Sequence, residues 1–219
     1  MSTPQPAVAQ YRYGMVFVLV LTVVVFLIVA PDGDGSRALA FALVGAALLV
    51  SICTSRERTV VLRRRAVIGT VTITIVTLLT AVGVIPHSIT LAVTALMALA
   101  VPATLGGGLL RLVRERGATA QAVAGALAIY LLVGLAFASA IGFVAAVEPG
   151  NFFAGSAGHS ASDHVYYSFT VLTTTGFGDF TAAHGVGRAL AVLEMLTGQI
   201  YLVTVIGILV GRRVEQARA

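Results

Sequence analysis

Seven consecutive residues carry the chemistry of this chain: Thr173-Thr174-Thr175-Gly176-Phe177-Gly178-Asp179. An alkali cation gives up its water only where other oxygens replace the shell, and rings of backbone carbonyls along a narrow axis can do so. For successive carbonyls to face one way, an extended backbone must leave its usual alternation. That requires residues at positive φ, which glycine adopts without steric cost. Gly176 and Gly178 fit that role. The expected oxygen ladder comprises the carbonyls of Thr174, Thr175, Gly176 and Phe177, with the Thr174 hydroxyl as a further ring. The side chains of Thr175 and Phe177 are expected behind it, packing the ladder against its support.

The flanks supply the elements that position such a ladder. Residues 163–173 read as a short helix opened by Ser162 or Asp163 as N-cap. A polar turn follows Asp179, and then a long apolar helix over 188–210. A span, a short helix, a filter at 174–179 and a second span make a re-entrant pore loop.

Over 163–211 the chain resembles the potassium channels. Tyr166-Tyr167-Ser168 matches the paired aromatics and serine of their pore helix, and residues 174–179 match the filter usually spelled T-V-G-Y-G-D. Residues 188–198 are similar to their inner helix up to its hinge glycine. Thr175 stands where valine or isoleucine is usual, and Phe177 where tyrosine is usual. No acid enters the filter. The resemblance implies K+ ions held by the backbone carbonyls of Thr174, Thr175, Gly176 and Phe177 and by the Thr174 hydroxyl, with no organic cofactor. It implies a homotetramer, since a single pore loop needs symmetry between copies to close a pore. It also implies that Gly198 is a gating hinge and that Tyr166 holds Asp179. Thr170 takes a filter-supporting place where some relatives carry a buried acid. Four-residue steps from Gly198 put Leu202, Ile206 and Val210 on the inner cavity.

Glu194 is the acid deep within an apolar span, where carboxylates are expensive. It is expected to support the filter, packed behind the short helix against a serine, threonine or backbone amide. Gln199 and Leu202 are better spaced to face the pore.

Composition places the chain in a bilayer: it is 58% hydrophobic, with a mean hydropathy of +0.98. A span needs ~20 largely apolar residues, and six stretches approach that: 14–30, 38–54, 66–85, 88–110, 120–147 and 188–210. The expected fold is an all-α membrane protein of six transmembrane helices, with the re-entrant helix and filter between spans five and six. Residues 1–117 form a four-span N-terminal membrane domain with a cytoplasmic linker, and 118–219 a two-span pore domain. The first apolar stretch is read as a span rather than a leader, because Ile28 is a poor residue for a cleavage box.

All 14 Lys and Arg residues are arginines. Arg37 and Arg188 apart, they fall on one side of the expected spans, so the positive-inside rule puts both termini in the cytoplasm. The net charge of +5 then sits in short loops beside apolar spans, which favours anionic membrane lipid over nucleic acid as partner. Cys53 is the one cysteine, which excludes an intrachain disulfide. His159, His164 and His184 near the outer mouth and His87 at a span boundary read as solvated or structural. The absence of lysine beside abundant alanine, valine and arginine fits a bacterial cell membrane.

The fourth stretch, 88–110, contains no charge, and Arg111, Arg114 and Arg116 follow only in the linker. The six-span layout is therefore not expected to sense voltage. Two alternatives share the motif, a weakly selective monovalent cation channel and a subunit of a potassium transporter. The latter resemble four fused repeats with degraded filters, unlike the single complete filter here. No convergent nucleophile, base or metal ligand suggests an enzyme.

Overall fold

Apolar residues run without a charge from Tyr13 to Val29 and from Ala120 to Val147, and both stretches fold as single helices, α1 (Tyr13–Val29) and α2 (Ala120–Val147). A computed structural model describes residues 13–29, 68, 71, 75, 106, 109–110, 112–114, 117–148, 150–155 and 160–218. Those isolated positions aside, the spans expected over 38–54, 66–85 and 88–110 lie outside the described residues, as do Cys53, His87 and His159. Three more helices complete the described chain: α3 (Ala161–Leu172), α4 (Gly185–Tyr201) and α5 (Gly207–Arg218), the last two joined by one π-helical stretch, Leu202–Ile206.

Two helices among the described residues are long and apolar enough to cross a membrane, Ala120–Val147 and the continuous Gly185–Val214. At 1.5 Å per residue, the 28 residues of α2 reach about 42 Å, longer than a ~30 Å hydrocarbon core, so α2 crosses tilted or projects beyond it. At 17 residues, α1 falls just short of a full span.

Small residues let these helices approach. In a bilayer, helices associate by close packing more than by water exclusion, so glycine and alanine mark the contacts. On α2, Ala122, Ala126 and Ala128 are buried against Tyr13, Val16, Val20 and Val23 of α1. A Cβ at Gly125 would meet the Tyr13 ring at 3.1 Å. The first helix thus packs directly on the half of the chain that carries the filter motif. Tyr201 extends this core from α4, its hydroxyl donating to the Ala126 carbonyl at 2.7 Å.

The short helix begins earlier than the sequence reading placed it. Ser160, not Ser162 or Asp163, is the N-cap of α3. Its hydroxyl accepts from Asp163 N at 3.1 Å while the Asp163 carboxylate accepts from Ser160 N at 3.2 Å. Asp163 is therefore the third residue of a reciprocal capping box, an S-x-x-D spelling of the more common S-x-x-E. The inner helix also starts earlier, at Gly185 rather than Arg188.

Between α2 and α3, Phe152 and Phe153 turn the loop inward. Ala154 N donates to Thr181 O at 2.8 Å and Ala183 N to Phe152 O at 2.9 Å, a two-bond antiparallel clasp to the segment after the filter motif. Phe153 is buried among Phe152, Tyr167 and Phe180, with ring centroids 5.0 to 5.1 Å away.

Removing the cap should loosen α3 without touching the loop beyond it. Ser160→Ala is expected to lower stability by about 1 kcal/mol, and Ser160→Asp, which keeps the acceptor, to stay near wild type. Thermal unfolding in mild detergent checks the pair.

Candidate functional site

The last turn of a helix leaves carbonyls without intrahelical partners, and α3 uses its own to seize the next segment of chain. Thr174 N donates to Val171 O at 2.9 Å, while Thr175 N and Gly176 N both donate to Thr170 O, at 2.9 and 3.1 Å. Thr173 caps the end with its hydroxyl on Phe169 O at 2.7 Å and shares a hydrogen bond with the Thr175 hydroxyl at 2.9 Å. The N–H groups of Thr174, Thr175 and Gly176 are thereby consumed on the helix side. Among the described residues, none of the carbonyls of Thr174, Thr175, Gly176 or Phe177 accepts a hydrogen bond. Four consecutive carbonyl oxygens remain for something else to use.

The backbone here leaves the extended strand. Thr174, Gly176 and Gly178 have φ of 57°, 52° and 84°, while Thr175 and Phe177 between them are not positive. This alternation breaks the opposed carbonyl pattern of an extended strand. A Cβ at Gly176 or Gly178 would meet nothing within 4 Å, so the demand for glycine there is conformational and not spatial. Thr174 bears the steric cost itself. Among the described residues it alone has positive φ without being glycine, a strain on the order of 1–3 kcal/mol for a β-branched side chain.

Behind the loop stands an aromatic wall. Phe177 stacks on Tyr166 of α3 with centroids 6.4 Å apart and planes 8° off parallel, although 70% of its surface stays exposed. Tyr166 also meets Phe180 edge-on at 5.9 Å. Its hydroxyl is hydrogen-bonded to the Asp179 carboxylate, which raises the phenol above its ordinary pKa. Asp179 Oδ1 in turn accepts from Phe180 N at 3.1 Å. Thr170 contributes through its carbonyl, which anchors the loop, while its hydroxyl donates to Tyr167 O at 2.8 Å.

Glu194 lies fully buried behind α3. Ser168 Oγ sits 2.5 Å from Glu194 Oε1 and 2.7 Å from the Gly134 carbonyl, so a single hydroxyl joins α2, α3 and α4. One hydroxyl has one proton, and two acceptors compete for it. A side chain at 194 that brings a proton of its own resolves that competition. Beside this joint, Gly198 meets the end of α3 so closely that a Cβ would lie 2.3 Å from the Leu172 carbonyl oxygen. The same carbonyl accepts from the Tyr130 hydroxyl of α2 at 3.1 Å. The expected hinge glycine therefore has a packing requirement of its own.

Below Gly198 the four-residue ladder does not continue. The π-helical stretch Leu202–Ile206 adds a residue to the turn and rotates the remainder of the helix. Leu202 and Ile206 are half-buried, Ile206 against the core shared with α1 and α2, whereas Val203, Ile208 and Val210 are exposed. Regular helical spacing from Gly198 therefore carries only as far as Tyr201. The structure also adds residues that pattern reading passed over. Tyr130, Phe152 and Phe153 lie in stretches that read as span and polar loop, and only their position in space recruits them. Gln199 reaches the motif from α4, its Nε2 donating to the Thr174 hydroxyl at 3.0 Å.

An ion-channel family model matches residues 126–214, from within α2 through the loop and into α5. That stretch is similar to an ion-channel domain, consistent with the pore-loop cation channels. No curated protein and no solved structure matches the chain.

The joint at Glu194 makes a directional prediction. Glu194→Gln supplies an amide proton to Ser168 and is expected to stay within about 1 kcal/mol of wild type, whereas Glu194→Ala leaves a cavity and should cost about 2–4 kcal/mol. Thermal unfolding of the purified variants checks the order.

Proposed function

We propose that this ion-channel domain is the pore of a potassium-selective channel, assembled as a homotetramer in a cell membrane with both termini cytoplasmic. The observation that carries the reading is the run of four carbonyls, Thr174 to Phe177, left without acceptor duty by a backbone that alternates the sign of φ. Such a run suits a dehydrated monovalent cation. Potassium is favoured because no acid enters the ladder and because the aromatic wall behind it resists collapse around a smaller ion. Assembly is supported by α4 and its continuation: Val192, Leu193, Leu196, Ile200, Val203 and Ile208 are exposed on the single chain, more apolar surface than one loop covers. Exposed Arg212 and Arg213 on α5 suit anionic lipid headgroups at the cytoplasmic face.

Reconstituted in liposomes, the protein should pass K+ well in preference to Na+, with a bi-ionic reversal potential far from zero. A reversal potential near zero would move the reading to a weakly selective cation channel, and coupled flux to a transporter subunit. Gly178→Ala, whose Cβ opposes the φ of 84°, should abolish conduction while leaving the assembly intact by native mass.

Opening should depend little on voltage. Each elementary charge crossing the field is worth ~2.3 kcal/mol per 100 mV, and the stretch 88–110 offers none. In planar bilayers from about −100 to about +100 mV, open probability is expected to vary shallowly and to be unchanged when Arg111, Arg114 and Arg116 are neutralised together. A steep curve that flattens on neutralisation would show that these arginines sense the field.

A further inference from the structure

The polar groups of the inner helix can be followed one by one. Thr197 and Thr204 return their hydroxyls to the carbonyls four residues back, Leu193 and Ile200. The Tyr201 hydroxyl goes to Ala126 O on α2. Gln199 differs: its carboxamide crosses 25 positions of sequence to donate from Nε2 to the Thr174 hydroxyl at 3.0 Å. Thr174 is also the residue held at φ 57° without being glycine, and a β-branched residue keeps that conformation only where its surroundings over-determine it. Its N–H is fixed on Val171 O, and Gln199 is the partner of its side chain. Gly198 makes the reach possible, since only a residue without Cβ lets α4 come against the Leu172 carbonyl and bring its neighbour level with the loop.

We propose that Gln199 is a positioning residue for the innermost cation site, holding the Thr174 hydroxyl so that its free lone pair faces the permeating ion. A hydroxyl oxygen has two acceptor lone pairs and one proton. The Gln199 amide takes one lone pair and the second remains for a dehydrated monovalent cation. Without the amide the hydroxyl is free to rotate its proton into the cation's place. The inference rests on the channel reading above and deepens it, because it assigns selectivity at the inner end of the ladder to a side chain outside the filter.

Gln199→Met keeps the volume and removes the donor, and Gln199→Glu keeps the length but replaces the donor with an acceptor. Both are measured in liposomes beside wild type and Thr174→Ala, with the double variant Gln199→Met/Thr174→Ala completing a cycle. The K+/Na+ permeability ratio should fall about tenfold in each Gln199 variant, the loss of one well-placed hydrogen bond. In the Thr174→Ala background Gln199→Met should add nothing further. Native mass and thermal midpoint should stay near wild type, which separates positioning from unfolding. Cation flux in wild type with an unchanged ratio in either Gln199 variant, or with additive losses in the cycle, would overturn this inference alone. A variant whose assembly is lost would make Gln199 structural and overturn it too. Absence of cation flux from wild type would instead overturn the channel reading on which it rests.

Discussion

The carbonyl of Leu172 is the point on which the described structure turns. It ends α3, accepts the Tyr130 hydroxyl from α2, and lies so near α4 that residue 198 must be glycine. Three helices are located by one oxygen, and the loop of alternating φ starts just beyond it. Were α4 held off by a methyl group, Gln199 would lose its reach to Thr174 and the short helix its backing. In an environment where helices gain little from excluding water, such close contact is the main source of specificity.

Polar side chains perform much of the remaining placement. Ser168 ties Glu194 to the Gly134 carbonyl at the joint of α2, α3 and α4. On the other flank of the loop the same task falls to rings and to two backbone bonds, with Phe153 buried between α3 and the chain after Asp179. The loop is therefore braced on both flanks by rigid elements, while its carbonyls are left unengaged.

The first helix enters this arrangement directly. It packs on α2 through Tyr13 and a row of valines, and the same core takes in Val165 and Phe169 of α3. It therefore backs α3 itself as well as α2, which presents Tyr130 and Gly134 to α3.

The sequence alone determined the elements whose cause is local. Long uncharged runs specify α1 and α2 to within about a residue, and two glycines one apart after a threonine run specify a loop with alternating φ. The buried carboxyl and the Tyr166–Asp179 pairing were also legible, because a costly acid in an apolar run and a matched motif each name their partners. Tertiary structure decided what depends on distance between elements. The π-helical stretch Leu202–Ile206 interrupts regular helical spacing where Tyr201 and Ile206 pack onto the core, which no helical wheel contains. Thr174 adopts a conformation that its own side chain opposes, and Gln199 meets it only because Gly198 has no side chain. Local propensity cannot encode such contacts, since their energy comes from groups that the chain brings together only once it has folded.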